Sequence, residues 1–127
     1  MACDRIALGR VGWRGEAGSM AKAASRSRDP LKRAIALLER VPLVDGHNDL
    51  AWVIRLDAEA RGDVLRYDLT RVHPESDTDI PRLREGRVGA QVWAAYVPTD
   101  LPNPARASLE QIDTILRIEE AHPDVFL

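Results

Sequence analysis

The apolar run Val41-Pro42-Leu43-Val44 opens directly onto Asp45-Gly46-His47-Asn48-Asp49. Such a run reads as a strand, and residues two apart on a strand point to the same face. His47 and Asp49 can therefore converge on one metal ion. Zinc takes imidazole nitrogen and carboxylate oxygen at roughly 2.0–2.2 Å, and a strand can fix two such ligands without ordering a loop. A catalytic zinc needs about three protein ligands and an open position, so other groups must complete a site begun here. The plainer alternative is a polar turn after the strand, with Asp49 capping the following helix. Gly46 favours the metal reading, because it lets another group approach the backbone closely.

Around this junction the chain alternates between helical and extended patterns. Asp29 before Pro30 reads as an N-cap and first-turn proline, with Leu31, Ala34, Ile35 and Leu38 as the core stripe of a helix over 30–40. The strand follows at 41–47, then a short helix from Leu50 that stops by Gly62. Residues 62–78 read as a long polar loop in which His73 has no nearby partner. Thr78 or Asp79 caps a helix through Glu85, ended by Gly86, and Val88 to Val97 forms a second strand. Both faces of that strand are largely apolar, as in a parallel strand covered on two sides. Asn103 and Pro104 begin a helix with Ala105, Leu109, Ile112 and Leu116 along its stripe, widened by Ile115 and Ile118. His122-Pro123 ends it, His122 making a terminal contact, and a third strand begins at Val125. Alternating elements of this kind predict an α/β fold with a parallel sheet and right-handed crossovers.

Composition narrows the function classes. A hydrophobic content of 45% with 30% charged residues suits a soluble globular protein, and no apolar run reaches the length of a transmembrane segment. Cys3 is the only cysteine, which excludes an internal disulfide and disfavours a cysteine-based zinc site. Residues 1–40 carry nine Lys or Arg against four Asp or Glu, and residues 41–127 nine against sixteen. The basic arm lacks interleaved aromatics beyond Trp13, so no nucleic acid partner is expected. An acidic main segment suits a cation, although solvated surface explains most of those charges equally well. Residues 1–28 show no periodicity and are expected to be a disordered extension, leaving 29–127 as the folded part. Met20 offers itself as an alternative start. No apolar stretch follows the early positive charges, so a secretory signal is not supported and a cytoplasmic location is expected.

Further stretches make the chain recognisable. The segment from Val44 to Trp52, the passage Asp79-Ile80-Pro81-Arg82-Leu83-Arg84-Glu85-Gly86-Arg87-Val88-Gly89-Ala90-Gln91-Val92-Trp93, and Ser108-Leu109-Glu110-Gln111-Ile112-Asp113 with His122-Pro123-Asp124-Val125-Phe126 occur in the order of the membrane dipeptidase (renal dipeptidase) family, which they resemble over about residues 32–127. The resemblance implies the N-terminal portion of a (β/α)8 TIM-type barrel, incomplete here because such barrels typically need roughly 250 residues. It implies a zinc-dependent dipeptidase that hydrolyses the peptide bond of dipeptides with metal-activated water. Of two zinc ions, one is held by His47 and Asp49; the second metal's histidines, a bridging glutamate and the proton donor are expected beyond Leu127. No catalytic residue is assigned within the chain, and the isolated fragment is expected to be inactive and marginally folded.

The resemblance also implies that Trp52 and Tyr96 contact substrate. Ordinary packing of Trp52 and a core-edge place for Tyr96 remain the plain alternatives. The loop at 62–78 would lie over the barrel mouth, and the full-length form leaves room for a homodimer. Two other classes stay open: another metal-dependent amidohydrolase, disfavoured by the later matches, and a non-catalytic truncated relic or interaction protein, which would need neither His47 nor Asp49.

Overall fold

The structure, a computed structural model, describes residues 9–10 and 28–126. In chain order the elements are β1 (Gly9–Arg10), α1 (Pro30–Leu38), β2 (Leu43–Asn48), α2 (Leu50–Leu56), α3 (Ile80–Glu85), β3 (Val88–Trp93) and α4 (Pro104–Ala121). The extension expected over residues 1–28, with its alternative start at Met20, lies outside the described residues except for β1 and Arg28. No helix among the described residues is long and apolar enough to cross a membrane.

The fold is mixed α/β. The sheet runs β1-β3-β2, with β2 and β3 parallel and β1 antiparallel to β3. Gly89 sits where β3 passes close to Pro42, and a Cβ there would collide with the proline ring. The core lies where Leu50, Ala51 and Ile54 of α2 meet Ile80 and Leu83 of α3, Trp93 of β3, and Ile115 and Ile118 of α4.

The caps read from the sequence are present. Asp29 accepts from the Leu31 amide at 3.0 Å, Asp79 from Arg82 at 2.9 Å and Asn103 from Arg106 at 3.4 Å, each ahead of a first-turn proline. Boundaries and faces differ more. Helix α1 ends at Leu38 and buries only Ala36; Leu31, on the expected core stripe, is 67% exposed. Helix α4 buries Ala107, Gln111, Thr114, Ile115 and Ile118, so its inner face is rotated away from Leu109, which is 68% exposed. Strand β3 ends at Trp93, four residues before the expected Val97, and only Gln91 and Trp93 on it are buried. At the expected third strand, residues 123–125 form a turn that tucks Val125 and Phe126 into the core, with Phe126 edge-on to Trp93 at 5.6 Å. His122 sits just past α4, its amide donating to Ile118 and Glu119, in keeping with a terminal contact.

The segment between α2 and α3 is a series of turns with buried residues of its own, Val64, Tyr67 and Leu69. His73, expected to stand alone, is buried there. Its ring stacks on Tyr67 at 4.2 Å, Nε2 lies 3.0 Å from the Asp68 carbonyl and Nδ1 lies 3.2 Å from Glu75. The fully buried Asp79 closes this segment by accepting from the His73 amide at 3.0 Å and from Arg82 Nε at 2.7 Å. Arg82 in turn donates to the His73 carbonyl at 2.9 Å.

Burial pushes the Asp79 carboxyl up, but hydrogen bonds from the Arg82 and His73 amides and from the Arg82 guanidinium outweigh it and hold the group below the usual carboxylate range. A carboxyl depressed by folding stabilises the fold above its unfolded pKa, and the contribution is lost as pH falls through that value and then through the lower folded one. Asp79→Ala is therefore expected to cost about 2–4 kcal/mol in urea unfolding at neutral pH, through a lost cap and an opened clamp. The gap to the parent should narrow below about pH 4; a parental unfolding midpoint at neutral pH would show that the clamp does not hold the loop.

Candidate metal and substrate site

The candidate site forms at the carboxyl end of β2. His47 is on the strand and Asp49 is the next residue past its end, with φ −96° and ψ 24°. Their side chains converge: His47 Nε2 is 3.0 Å from Asp49 Oδ2. The capping alternative is not realised, because the Asp49 carboxylate makes no side-chain bond to the first turn of α2. Its Oδ1 is buried without a hydrogen-bond partner, and the His47 ring is exposed.

This donor set fits a cation. Two ligands at about 2.0–2.1 Å from one tetrahedral ion stand roughly 3.3 Å apart, close to the separation observed. A buried carboxylate oxygen with no donor is costly unless something positive faces it. Among the described residues, however, no group of three or more His, Cys, Asp or Glu is placed to hold a metal ion. The His73 ring is bonded within its own loop, and His122 lies past the end of α4.

The convergence is not a simple product of strand pleat. Pairing of β2 with β3 shifts register between Leu43 and Val44 and again between Asp45 and Asn48, and Asp49 lies beyond the strand. What fixes this corner is Asn48. Its carbonyl accepts from the Ala94 amide at 2.9 Å and its Oδ1 from the Leu50 amide at 2.9 Å. Its Nδ2 donates to Thr78 Oγ1 at 2.8 Å and to Gln91 Oε1 at 3.3 Å. Neither Asn48 nor Gln91 stands out by spacing in the sequence. A usable signal was there, since Gln91 is the single side-chain amide in an otherwise apolar strand.

One helical turn on, the Trp52 amide donates to the Asp49 carbonyl at 2.9 Å. Trp52 packs edge-on against Tyr96, with ring centroids 5.6 Å apart and planes at 89°. The structure thus joins the two residues expected to contact substrate, although Tyr96 stands beyond β3 rather than on it. Consecutive residues of α4 support this pair from behind. Glu110 accepts from Arg106 Nε at 2.7 Å and pairs with Arg55 at 2.8 Å, and the Arg55 guanidinium lies 5.9 Å from the Trp52 ring centroid. Hydrogen bonds from Arg106 and then Arg55 hold the Glu110 carboxyl below its ordinary range. Gln111, fully buried, donates Nε2 to the Tyr96 carbonyl at 3.1 Å. A cleft of about 250 Å³ opens beside Arg55, Asn103, Arg106 and Glu110, but none of the four residues singled out in the sequence lines it.

The structure is thus an α/β chain that carries a His–Asp pair at the carboxyl end of one parallel strand, with Trp52 of the helix that follows packed against Tyr96, which lies past the same end of the neighbouring strand. The family described as Membrane dipeptidase (Peptidase family M19) matches residues 31–127, and the chain belongs to that family. It is 43% identical over 110 residues to Dipeptidase ataJ of Aspergillus terreus, an alignment covering 76% of this chain and 25% of that protein. It is also 43% identical over 99 residues to Dipeptidase 3 of Rattus norvegicus and to Dipeptidase 3 of Mus musculus, again over 76% of this chain and over 20% and 19% of theirs. The chain therefore spans a quarter or less of the length of these three relatives.

Gln111→Ala is expected to destabilise the chain by about 2–3 kcal/mol, from lost packing and an orphaned Tyr96 carbonyl. Amide hydrogen exchange should quicken at residues 95–101 more than in α2. Uniform quickening across both would contradict a local support for Tyr96.

Proposed function

We propose that this chain supplies one metal corner and part of the substrate wall of a zinc-dependent dipeptidase, built as the first strands of a (β/α)8 barrel. The observation that carries the reading is the convergence of His47 Nε2 and Asp49 Oδ2 at 3.0 Å, beside a buried Asp49 oxygen that lacks a donor. Two further points support it. The pair and Tyr96 lie at the same end of a parallel β2–β3 unit, the end at which barrel enzymes place their chemistry. The relatives matched bear dipeptidase names.

A bound zinc ion would lower the pKa of a water towards neutrality and polarise the carbonyl to be cleaved. The chain's own residues have narrower tasks. His47 in its neutral form offers a nitrogen lone pair, and Asp49 offers a carboxylate oxygen. Trp52 and Tyr96 form an aromatic corner that would exclude water from one side of a small substrate, and the Tyr96 hydroxyl would supply a hydrogen-bond donor to it. Dipeptides are the substrate class. Because two protein ligands do not make a catalytic zinc site, the 127-residue polypeptide by itself does not turn over.

The gene product purified from its source should hydrolyse dipeptides in a zinc-dependent manner, and His47→Ala should lower kcat/KM by at least about 100-fold. The 127-residue polypeptide should show no turnover above buffer. Equal hydrolysis by parent and His47→Ala would overturn the assignment of the site.

A further inference from the structure

We propose that Asn48 is a positioning residue for the metal corner: it sets the angle at which His47 and Asp49 meet their ion. This rests on the reading of that pair as metal ligands. Strand geometry alone does not aim Asp49, because β2 has ended and its register has slipped between Asp45 and Asn48. Asn48 is the peptide unit between the two ligands, and its bonds grip the chain on both sides of Asp49. Ahead of Asp49, the Asn48 carbonyl is held by Ala94 N; behind it, Asn48 Oδ1 holds the Leu50 amide. The remaining end of the amide reaches Thr78 and Gln91, on the crossover segment and on β3. Three separate parts of the fold are thereby referred to one side chain.

The chemistry calls for an amide at this place. The group must accept from Leu50 N with one end while donating to two oxygens with the other, and a carboxylate cannot donate. Gln91 cannot relieve an Asp at position 48 by turning over. Its Nε2 is directed at the Asp45 carbonyl at 3.5 Å and the Val92 carbonyl at 3.4 Å, and a flip would set its oxygen against both. These amide orientations follow from the donor–acceptor network as a whole. Groups that orient metal ligands typically alter affinity by about 10- to 100-fold when removed.

The test uses the purified gene product, stripped of metal and titrated with Co²⁺ and Zn²⁺. Asn48→Ala should weaken Zn²⁺ binding by about 10- to 100-fold and move the cobalt absorption bands, because the ligand angle changes. Thr78→Val should shift the same bands in the same direction by less, since it removes one anchor without touching the ligand segment. A parental cobalt spectrum and affinity in a folded Asn48→Ala protein would overturn the proposal. If Asn48→Ala does not fold, a parental spectrum in Thr78→Val overturns it instead. His47→Ala separates the two levels: if it leaves cobalt binding intact, the ligand assignment itself fails. If it removes a metal while Asn48→Ala changes nothing, only the positioning role fails.

Discussion

Parallel pairing of β2 with β3 is the constraint from which the site follows. Two adjacent parallel strands cannot be joined by a tight turn, so the chain must leave the end of β2, travel the length of the sheet and re-enter β3 from the same side. Residues 49–87 make that journey through α2, the turns and α3. The excursion would be entropically expensive if it were loose. It is closed instead by a buried carboxylate, Asp79, which takes up the His73 amide and the Arg82 side chain and starts α3 at the same point. Thr78, next to that anchor, then reaches Asn48 at the end of β2. The crossover is thus fastened to the same corner from which it departs.

The aromatic corner depends on the same arrangement. Because the strands are parallel and adjacent, whatever follows β2 meets whatever follows β3, and Trp52 of α2 packs on Tyr96. Helix α4 returns behind them with Glu110 and Gln111 side by side. One reaches Trp52 through Arg55, and the other holds the Tyr96 backbone.

Much of this was legible in the residues. The Asp29, Asp79 and Asn103 caps and the α/β alternation are local signals, and these survive into the structure; His47 and Asp49 also meet, but at the strand's end rather than through its pleat. Features set by long-range partners did not show. Leu31 and Leu109 lie on well-formed apolar stripes yet are exposed, because which stripe is buried depends on what packs against the helix. Val125 and Phe126 look like the start of a strand and instead turn inward beneath Trp93. His73 looked isolated because its partners are a stacked ring, a carbonyl and a carboxylate that only the folded loop assembles. Asn48 carries no mark in the sequence for a related reason: its hydrogen bonds depend on a slipped register that no spacing rule reveals. Trp52 and Tyr96 were singled out through family resemblance, and the structure adds that they touch.

The central claim is that His47 and Asp49 are made to share a metal ion. It is tested most directly by anomalous diffraction at the zinc edge from crystals of the gene product grown with zinc. The account predicts a peak about 2.0–2.2 Å from both His47 Nε2 and an Asp49 carboxylate oxygen. Zinc bound only elsewhere, with the His47 and Asp49 side chains still bonded directly to each other at 3.0 Å, would contradict it.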